Sequence, residues 1–228
     1  MSTAVVTGAG SGIGRATALA LARRGLDVAL LGRTLATLEE TATEIEALGR
    51  KSLVASCDVS QATDVSNAAR AVEAAWGAPR VVVANAGIAG RPALVVDTPE
   101  ELWDSVVDAN LKGTFLVARA FLPAMIAAGR GRLVAIASIS STLGTPKLAP
   151  YVASKWGVVG LVKSIAEELR GTGLQALAIL PGSVDTSMLA VGGFAPQMTA
   201  DEVARLVTYA ALDAPDAMNA SAIEMFGP

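Results

Sequence analysis

Tyr151 and Lys155 stand four positions apart in the stretch PYVASKWG, directly after Pro150. Positions i and i+4 of a helix share a face, so the two are either an ordinary exposed pair or a proton donor held beside a cation. The second reading has chemical content. A tyrosine can give a proton as general acid, or take one in the reverse direction. Its ordinary pKa of about 10 is too high for a base at neutral pH. An ammonium nearby stabilises the tyrosinate and lowers that value. Pro150 is tolerated in the first turn of a helix and helps fix where that helix begins.

The elements that must position this pair can be read from the alternation of short apolar runs with longer helical patterns. Strands are expected at 3–8, 27–32, 52–56, 80–85, 131–138, 174–180 and 221–226. Helices are expected from Gly12 to Gly25, then over 35–48, 61–76, 99–128, 151–170 and 199–212, with Pro123 bending or unwinding the end of the longest. Strands that are apolar throughout, alternating with helices, imply an α/β fold: a doubly wound parallel sheet of about seven strands with helices on both faces. The 228 residues fit a single domain, 1–228, with a short substrate flap over 183–198, where apolar side chains mix with paired glycines.

Composition excludes several chemistries. The chain has no histidine, which removes every His-dependent triad and makes a zinc site of protein ligands improbable, so no metal is expected. Cys57 is the sole cysteine, so no intrachain disulfide forms, consistent with the cytoplasmic location expected here. A net charge of −3, with no basic run, argues against nucleic acid. The N-terminus lacks a signal-peptide pattern, and no uninterrupted apolar run reaches the roughly 20 residues of a membrane span. The mean hydropathy of +0.50 fits a sheet buried on both faces and helix surface hidden in an oligomer.

The first strand runs into TGAGSGIG. Gly8 allows the tight turn, Gly12 lets the backbone approach a pyrophosphate, and Gly14 lets the new helix pack closely on the sheet. That helix start presents free N–H groups and a positive dipole end to phosphates. The fold is therefore Rossmann-type. The second strand ends in Gly32-Arg33, with no carboxylate to bond ribose hydroxyls and a guanidinium able to clamp a 2′-phosphate. NADP(H) is favoured, with NAD(H) the alternative, and Arg33 as a solvated surface charge the plainer reading. Asp58 can accept from an adenine amino group, cap the following turn, or both. Asn85 can contact the cofactor or tie adjacent strand ends together.

With TGAGSGIG at 7–14, NAG at 85–87, NLKGTF at 110–115, Ser138 thirteen positions before Tyr151, YVASK at 151–155 and PGSVDT at 181–186, the chain resembles the short-chain dehydrogenase/reductase family over nearly its whole length. It departs from the family pattern at Ala84, at the C-terminal IEMFGP, and in the short stretch after Thr186. The resemblance implies a catalytic set of Asn110, Ser138, Tyr151 and Lys155. It implies that Asn110 holds a water relaying protons to Lys155, and that Lys155 also bonds the nicotinamide ribose. It also implies that the Pro181-Gly182 turn and Thr186 face the nicotinamide. The candidate cofactor-binding set is Gly8, Ser11, Gly12, Ile13, Gly14, Arg33, Asp58, Val59, Asn85, Gly87, Tyr151, Lys155, Pro181, Gly182, Val184 and Thr186.

On this basis a hydride passes between NADP(H) and a carbonyl while Tyr151 exchanges the proton. Ser138 orients the substrate oxygen, with Ser140 and Ser141 as competing neighbours. The expected substrate is a small or medium apolar ketone or its secondary alcohol, walled by Met188, Leu189, Val191, Phe194, Ile139 and Leu94, residues that serve equally well as core or interface. The alternative enzyme is a 3-oxoacyl-(carrier protein) reductase, its acidic carrier docking on Arg130, Arg132 and Arg170. The alternative of another class is a non-catalytic dinucleotide-sensing protein. Pairing of the 99–128 and 151–170 helices between subunits implies a homotetramer, with a dimer next.

Overall fold

The computed structural model describes residues 2–189 and 195–227. Seven short apolar segments form one parallel sheet: β1 (Thr3–Thr7), β2 (Asp27–Gly32), β3 (Ser52–Ser56), β4 (Val81–Ala84), β5 (Gly131–Ile136), β6 (Leu174–Pro181) and β7 (Ala222–Met225). Their spatial order is β3-β2-β1-β4-β5-β6-β7, with every pairing parallel. Between them run α1 (Gly12–Arg23), α2 (Leu35–Ala47), α3 (Ala62–Trp76), α4 (Glu100–Val107), α5 (Gly113–Ala128), α6 (Ala149–Glu168) and α7 (Ala200–Leu212).

Successive residues of a strand point to opposite faces, so each central strand feeds two cores. Val5, Ala29, Val82 and Leu133 pack under α3, α5 and α6. Ala4, Val28, Val81 and Val134 pack under α1, α2 and α7. This is why the strands read as continuous apolar runs rather than alternating ones. Phe121 of α5 is fully buried in the first core, and its truncation to alanine should cost about 3–5 kcal/mol.

The strand order reverses between β1 and β4, and a crevice opens outside the carboxyl ends of strands at such a point. Gly8 follows β1 and Asn85 follows β4, so both stand at its mouth.

Strand and helix boundaries agree with the sequence pattern to within two residues except in the 99–128 stretch. That stretch is interrupted at Asp108–Lys112, a π-helical turn containing Asn110, and not at Pro123. Pro123 and Arg119 both lie on the exposed side of α5. The carbonyl that loses its partner to proline therefore faces water, and the helix runs on to Ala128, where Gly129 ends it in the left-handed conformation. The most apolar window of the stretch has a mean hydropathy of 1.4, long and apolar enough by composition to cross a membrane. Within the fold, Leu116, Val117, Phe121 and Met125 bury one face of the stretch in the core, and 39% of that window is buried.

Candidate active site

The glycine loop closes over a cavity of about 290 Å³ at the switch point. Gly8 turns out of β1 with φ +65°, a conformation that only glycine adopts without strain. A Cβ at Gly14 would collide with the Gly8 carbonyl and the Asn85 amide, so only glycine lets α1 start this close to the sheet. The N-cap of α1, Ser11, makes no side-chain cap bond, and its backbone is extended. The loop and the start of α1 thus form a cradle of backbone amides, the cradle a dinucleotide pyrophosphate requires.

Asn85 has two duties. Its Nδ2 donates to the carbonyls of Thr7 at 2.8 Å and Gly8 at 3.4 Å. The Thr7 hydroxyl accepts from the N–H groups of Asn85 at 2.9 Å and Ala86 at 3.0 Å. These bonds tie the ends of β1 and β4 together, and Asn85 also lines the cavity. Asp58 caps the turn after β3, its Oδ1 accepting from the Ser60 N–H at 2.9 Å and the Ser60 hydroxyl at 2.8 Å. Burial raises the Asp58 carboxyl, but those bonds and the nearby Arg33 outweigh it and hold the group below its ordinary pKa. The turn-capping reading of Asp58 is met, and the residue also stands on the cavity wall with Arg33. Cys57 lines the same wall, and burial with Asp64 and Asp58 close by pushes its thiol up to about 11. Such a thiol is unreactive at neutral pH.

Of the cofactor candidates, Gly8, Ser11, Gly12, Ile13, Arg33, Asp58, Val59, Asn85, Gly87 and Thr186 lie on the cavity wall. Gly14 is behind it, closed off by Gly8 and Asn85. Pro181 ends β6 in register with Met225, and the Gly182 N–H donates to the Met225 carbonyl at 2.8 Å. Val184 is turned into the core beside Met198, with which it forms a parallel bridge. None of these last three lines the cavity, and neither do Tyr151 and Lys155.

Lys155 is buried on α6, and its Nζ donates to the Ile136 carbonyl at the end of β5, 2.8 Å away. Desolvation lowers its pKa to about 8. The Nζ lies 5.7 Å from the centre of the Tyr151 ring. It also lies 3.6 Å from where a Gly87 Cβ would sit, so the amine adjoins the cavity wall. Burial drives the Tyr151 phenol above its ordinary value, with the adjacent Ser138 hydroxyl pulling the other way. The lowered phenol expected from the sequence is thus not met in this structure, because desolvation outweighs the hydrogen bond.

The three neighbouring serines separate cleanly. Ser138 caps a 3₁₀ turn, Ile139–Ser141, accepting from the Ser140 N–H at 3.1 Å. The Ser141 hydroxyl donates to the Lys155 carbonyl at 2.8 Å, and the Ser140 hydroxyl pairs with Thr145 at 3.1 Å. Only Ser138 keeps its hydroxyl beside the phenol. The Asn110 carboxamide is fully engaged: Oδ1 accepts from the Ile88 N–H at 2.8 Å, and Nδ2 donates to the Ile88 carbonyl and the Ser154 hydroxyl, both at 2.9 Å. The Asn110 backbone carbonyl accepts from the Thr114 hydroxyl at 2.7 Å. The side chain therefore braces the loop after β4.

Both described ends of the expected flap are anchored. The N–H of Gln197 donates to the Ser183 carbonyl and that of Asp185 to the Met198 carbonyl, both at 2.9 Å. Met188 lines the cavity, while Ile139 approaches Gly182. Leu94 is more than half exposed, away from the cavity wall. Val191 and Phe194 lie outside the described residues.

Sequence reasoning did not single out Thr7, Ser154, Thr34, Thr37 or Ile88, although all five are site neighbours. Thr7 stands first in TGAGSGIG and Ser154 sits inside YVASK, so the motifs held them. Thr34 directly follows Arg33 and Ile88 directly follows NAG, so both adjoin residues the sequence marked, while Thr37 reaches the cavity from the first turn of α2.

Residues 2–192 match the family described as short chain dehydrogenase. The chain is 42% identical over 188 residues to 2-(R)-hydroxypropyl-CoM dehydrogenase of Xanthobacter autotrophicus, covering 81% of this chain and 75% of that one. It is 36% identical over 191 residues to cyclohexanol dehydrogenase of an Acinetobacter species (82% and 74% covered). It is 37% identical over 187 residues to 3-oxoacyl-[acyl-carrier-protein] reductase of Staphylococcus aureus (82% and 76% covered). Among solved structures, levodione reductase superposes with a TM-score of 0.94 at 28% identity over 99% of this chain and 96% of that one. Actinorhodin polyketide ketoreductase with NADPH superposes with a TM-score of 0.92 at 33% identity over 99% and 96%. Motifs, sheet order and relatives agree, and the chain belongs to the short-chain dehydrogenase family, whose relatives here are oxidoreductases acting on alcohols and ketones.

Proposed function

We propose that the chain is an NADP(H)-dependent oxidoreductase that interconverts a small or medium apolar ketone and its secondary alcohol. The observation that carries this is the buried Lys155 amine, 5.7 Å from the centre of the Tyr151 ring and adjoining Gly87 on the cavity wall. The nicotinamide, when bound, supplies or accepts the hydride. Tyr151 gives its proton to the carbonyl oxygen as charge develops there. Ser138 donates to that oxygen and orients it. Lys155, charged, stabilises the phenolate that Tyr151 becomes.

Arg33 supports the choice of NADP(H). It stands on the cavity wall at the end of β2, where no carboxylate occupies the position after Gly32. The NADPH carried by the ketoreductase neighbour is consistent with that reading. Exposed Trp103, Phe115, Ile126 and Trp156 on α4, α5 and α6 support assembly into a homotetramer through those helices. Size-exclusion chromatography with light scattering tests the assembly.

The deciding assay is NADPH and NADH oxidation over cyclohexanone, 2-butanone, ethyl acetoacetate and acetoacetyl groups on free thioester and carrier protein. Turnover of the simple ketones with NADPH supports the proposal. A strong preference for carrier-bound chains favours the reductase named for the staphylococcal relative. Of the three arginines expected to dock a carrier, Arg130 is exposed and compatible with that role. Arg132 is committed to the carbonyls of Ala210 and Ala214 and to Asp216, and Arg170 is paired with Glu167. Full function after Tyr151→Phe would point instead to a dinucleotide sensor.

A further inference from the structure

Ser154 is fully buried on α6, and its hydroxyl bridges two elements of the site. It accepts from Asn110 Nδ2 at 2.9 Å and donates to the Tyr151 carbonyl at 2.7 Å. Asn110 in turn holds both backbone groups of Ile88, in the loop after β4. One turn along α6, a Cβ on Gly157 would come within 2.7 Å of Leu111 Cδ2. The π-helical turn therefore seats on α6 at two points, Ser154 and Gly157, which share a helix face at spacing i, i+3. Tyr151 and Lys155 lie within one turn of this contact. A hydroxyl at position 154 has the one donor and the acceptor capacity that both bonds need, and alanine has neither.

We infer that Ser154 is a positioning residue for the hydride-transfer reaction: through Asn110 it fixes the turn of α6 that carries Tyr151 and Lys155 against the loop after β4. The inference rests on the oxidoreductase reading above. Removing the hydroxyl leaves a buried Asn110 donor unpaired and frees the turn to shift. A displacement of about 1 Å at reacting groups is enough to cost up to about a hundredfold in rate. Ser154 is fully buried and does not line the cavity, so its loss should fall on turnover and spare cofactor binding.

The test compares the parent, Ser154→Ala, Asn110→Ala and the double variant with NADPH and whichever of cyclohexanone and ethyl acetoacetate is reduced faster. The expected result for Ser154→Ala is a kcat lower by roughly five- to thirtyfold, with KM for NADPH within twofold and the limb of the pH–kcat profile displaced. Adding Ser154→Ala to Asn110→Ala should change kcat less than twofold, since both act through one network. A kcat for Ser154→Ala within twofold of the parent overturns the inference, as does a full multiplicative loss in the double variant. If Asn110→Ala does not fold, the profile of Ser154→Ala alone decides. A displaced limb supports positioning, whereas a uniform drop matching the loss of folded protein overturns it. Failure of the underlying reading looks different: Tyr151→Phe would then turn over as fast as the parent, or neither ketone would oxidise NADPH.

Discussion

Lys155 donates to the Ile136 carbonyl at 2.8 Å while its ammonium lies 5.7 Å from the centre of the Tyr151 ring. One hydrogen bond thus anchors the cation of α6 to the end of β5, two residues before Ser138. It binds the helix and the strand that carry the proposed proton donor and the oxygen-orienting hydroxyl. The amine is buried, and burial brings its pKa down to about 8, close to working pH.

Activity should follow that titration. Carbonyl reduction needs Tyr151 protonated and Lys155 charged, and kcat/KM reports ionisations of the free enzyme. As pH rises through about 8 the amine loses its proton, so reductive kcat/KM should be level at lower pH and fall above that value. Initial rates between pH 6 and 10 check this. A level profile to pH 10 would remove Lys155 from the mechanism.

Stability should respond in the opposite sense. An unfolded lysine keeps its proton up to its ordinary value, whereas the folded one releases it near 8. Between those values the unfolded chain binds the extra proton, so this contribution raises stability as pH increases and is least favourable below pH 8. The fall from 10.5 to about 8 corresponds to roughly 3 kcal/mol. Lys155→Met should abolish turnover yet raise the melting temperature at pH 7 by about 3–8 °C, after the lost bond to Ile136 is allowed for. The gain should vanish near pH 10.5. Thermal melts at the two pH values measure it.

Tyr151→Phe removes the proposed proton and little else. Turnover should fall by about 10²–10⁴-fold, while NADPH affinity, read from nucleotide fluorescence, stays within threefold.

Arg33→Ala should weaken NADPH about ten- to a hundredfold, or roughly 1.4–2.8 kcal/mol, and leave NADH within threefold. Equal effects on both nucleotides would end the assignment of Arg33 to a 2′-phosphate. Titration of each cofactor against the variant supplies the comparison.

Arg132→Ala should damage the fold and spare the chemistry. Its guanidinium serves the Ala210 carbonyl at 2.8 Å, the Ala214 carbonyl and Gln175, closing the end of α7 onto β5 and β6. Leaving those carbonyls without a partner should cost about 1–3 kcal/mol, visible in a denaturant midpoint. The kcat of the folded fraction on a free ketone should be unchanged.

Much of the architecture was legible along the chain because its causes are local. Apolar runs without alternation announce strands buried on both faces, and Gly8 and Gly14 announce a backbone turn and a close helix approach that side chains would block. The spacing of Tyr151 and Lys155 needs only helical periodicity to place both on one face. What folding alone decided is where burial and hydrogen bonds direct those groups. No local pattern could show that the long helix would run on through Pro123, since that depends on which carbonyl faces water. Nor could it show that Asn110 would bind Ile88 and Ser154, that Arg132 would close α7, or that desolvation would raise the Tyr151 phenol. Those outcomes depend on residues distant in sequence meeting in a low-dielectric interior, and only the tertiary structure brings them together.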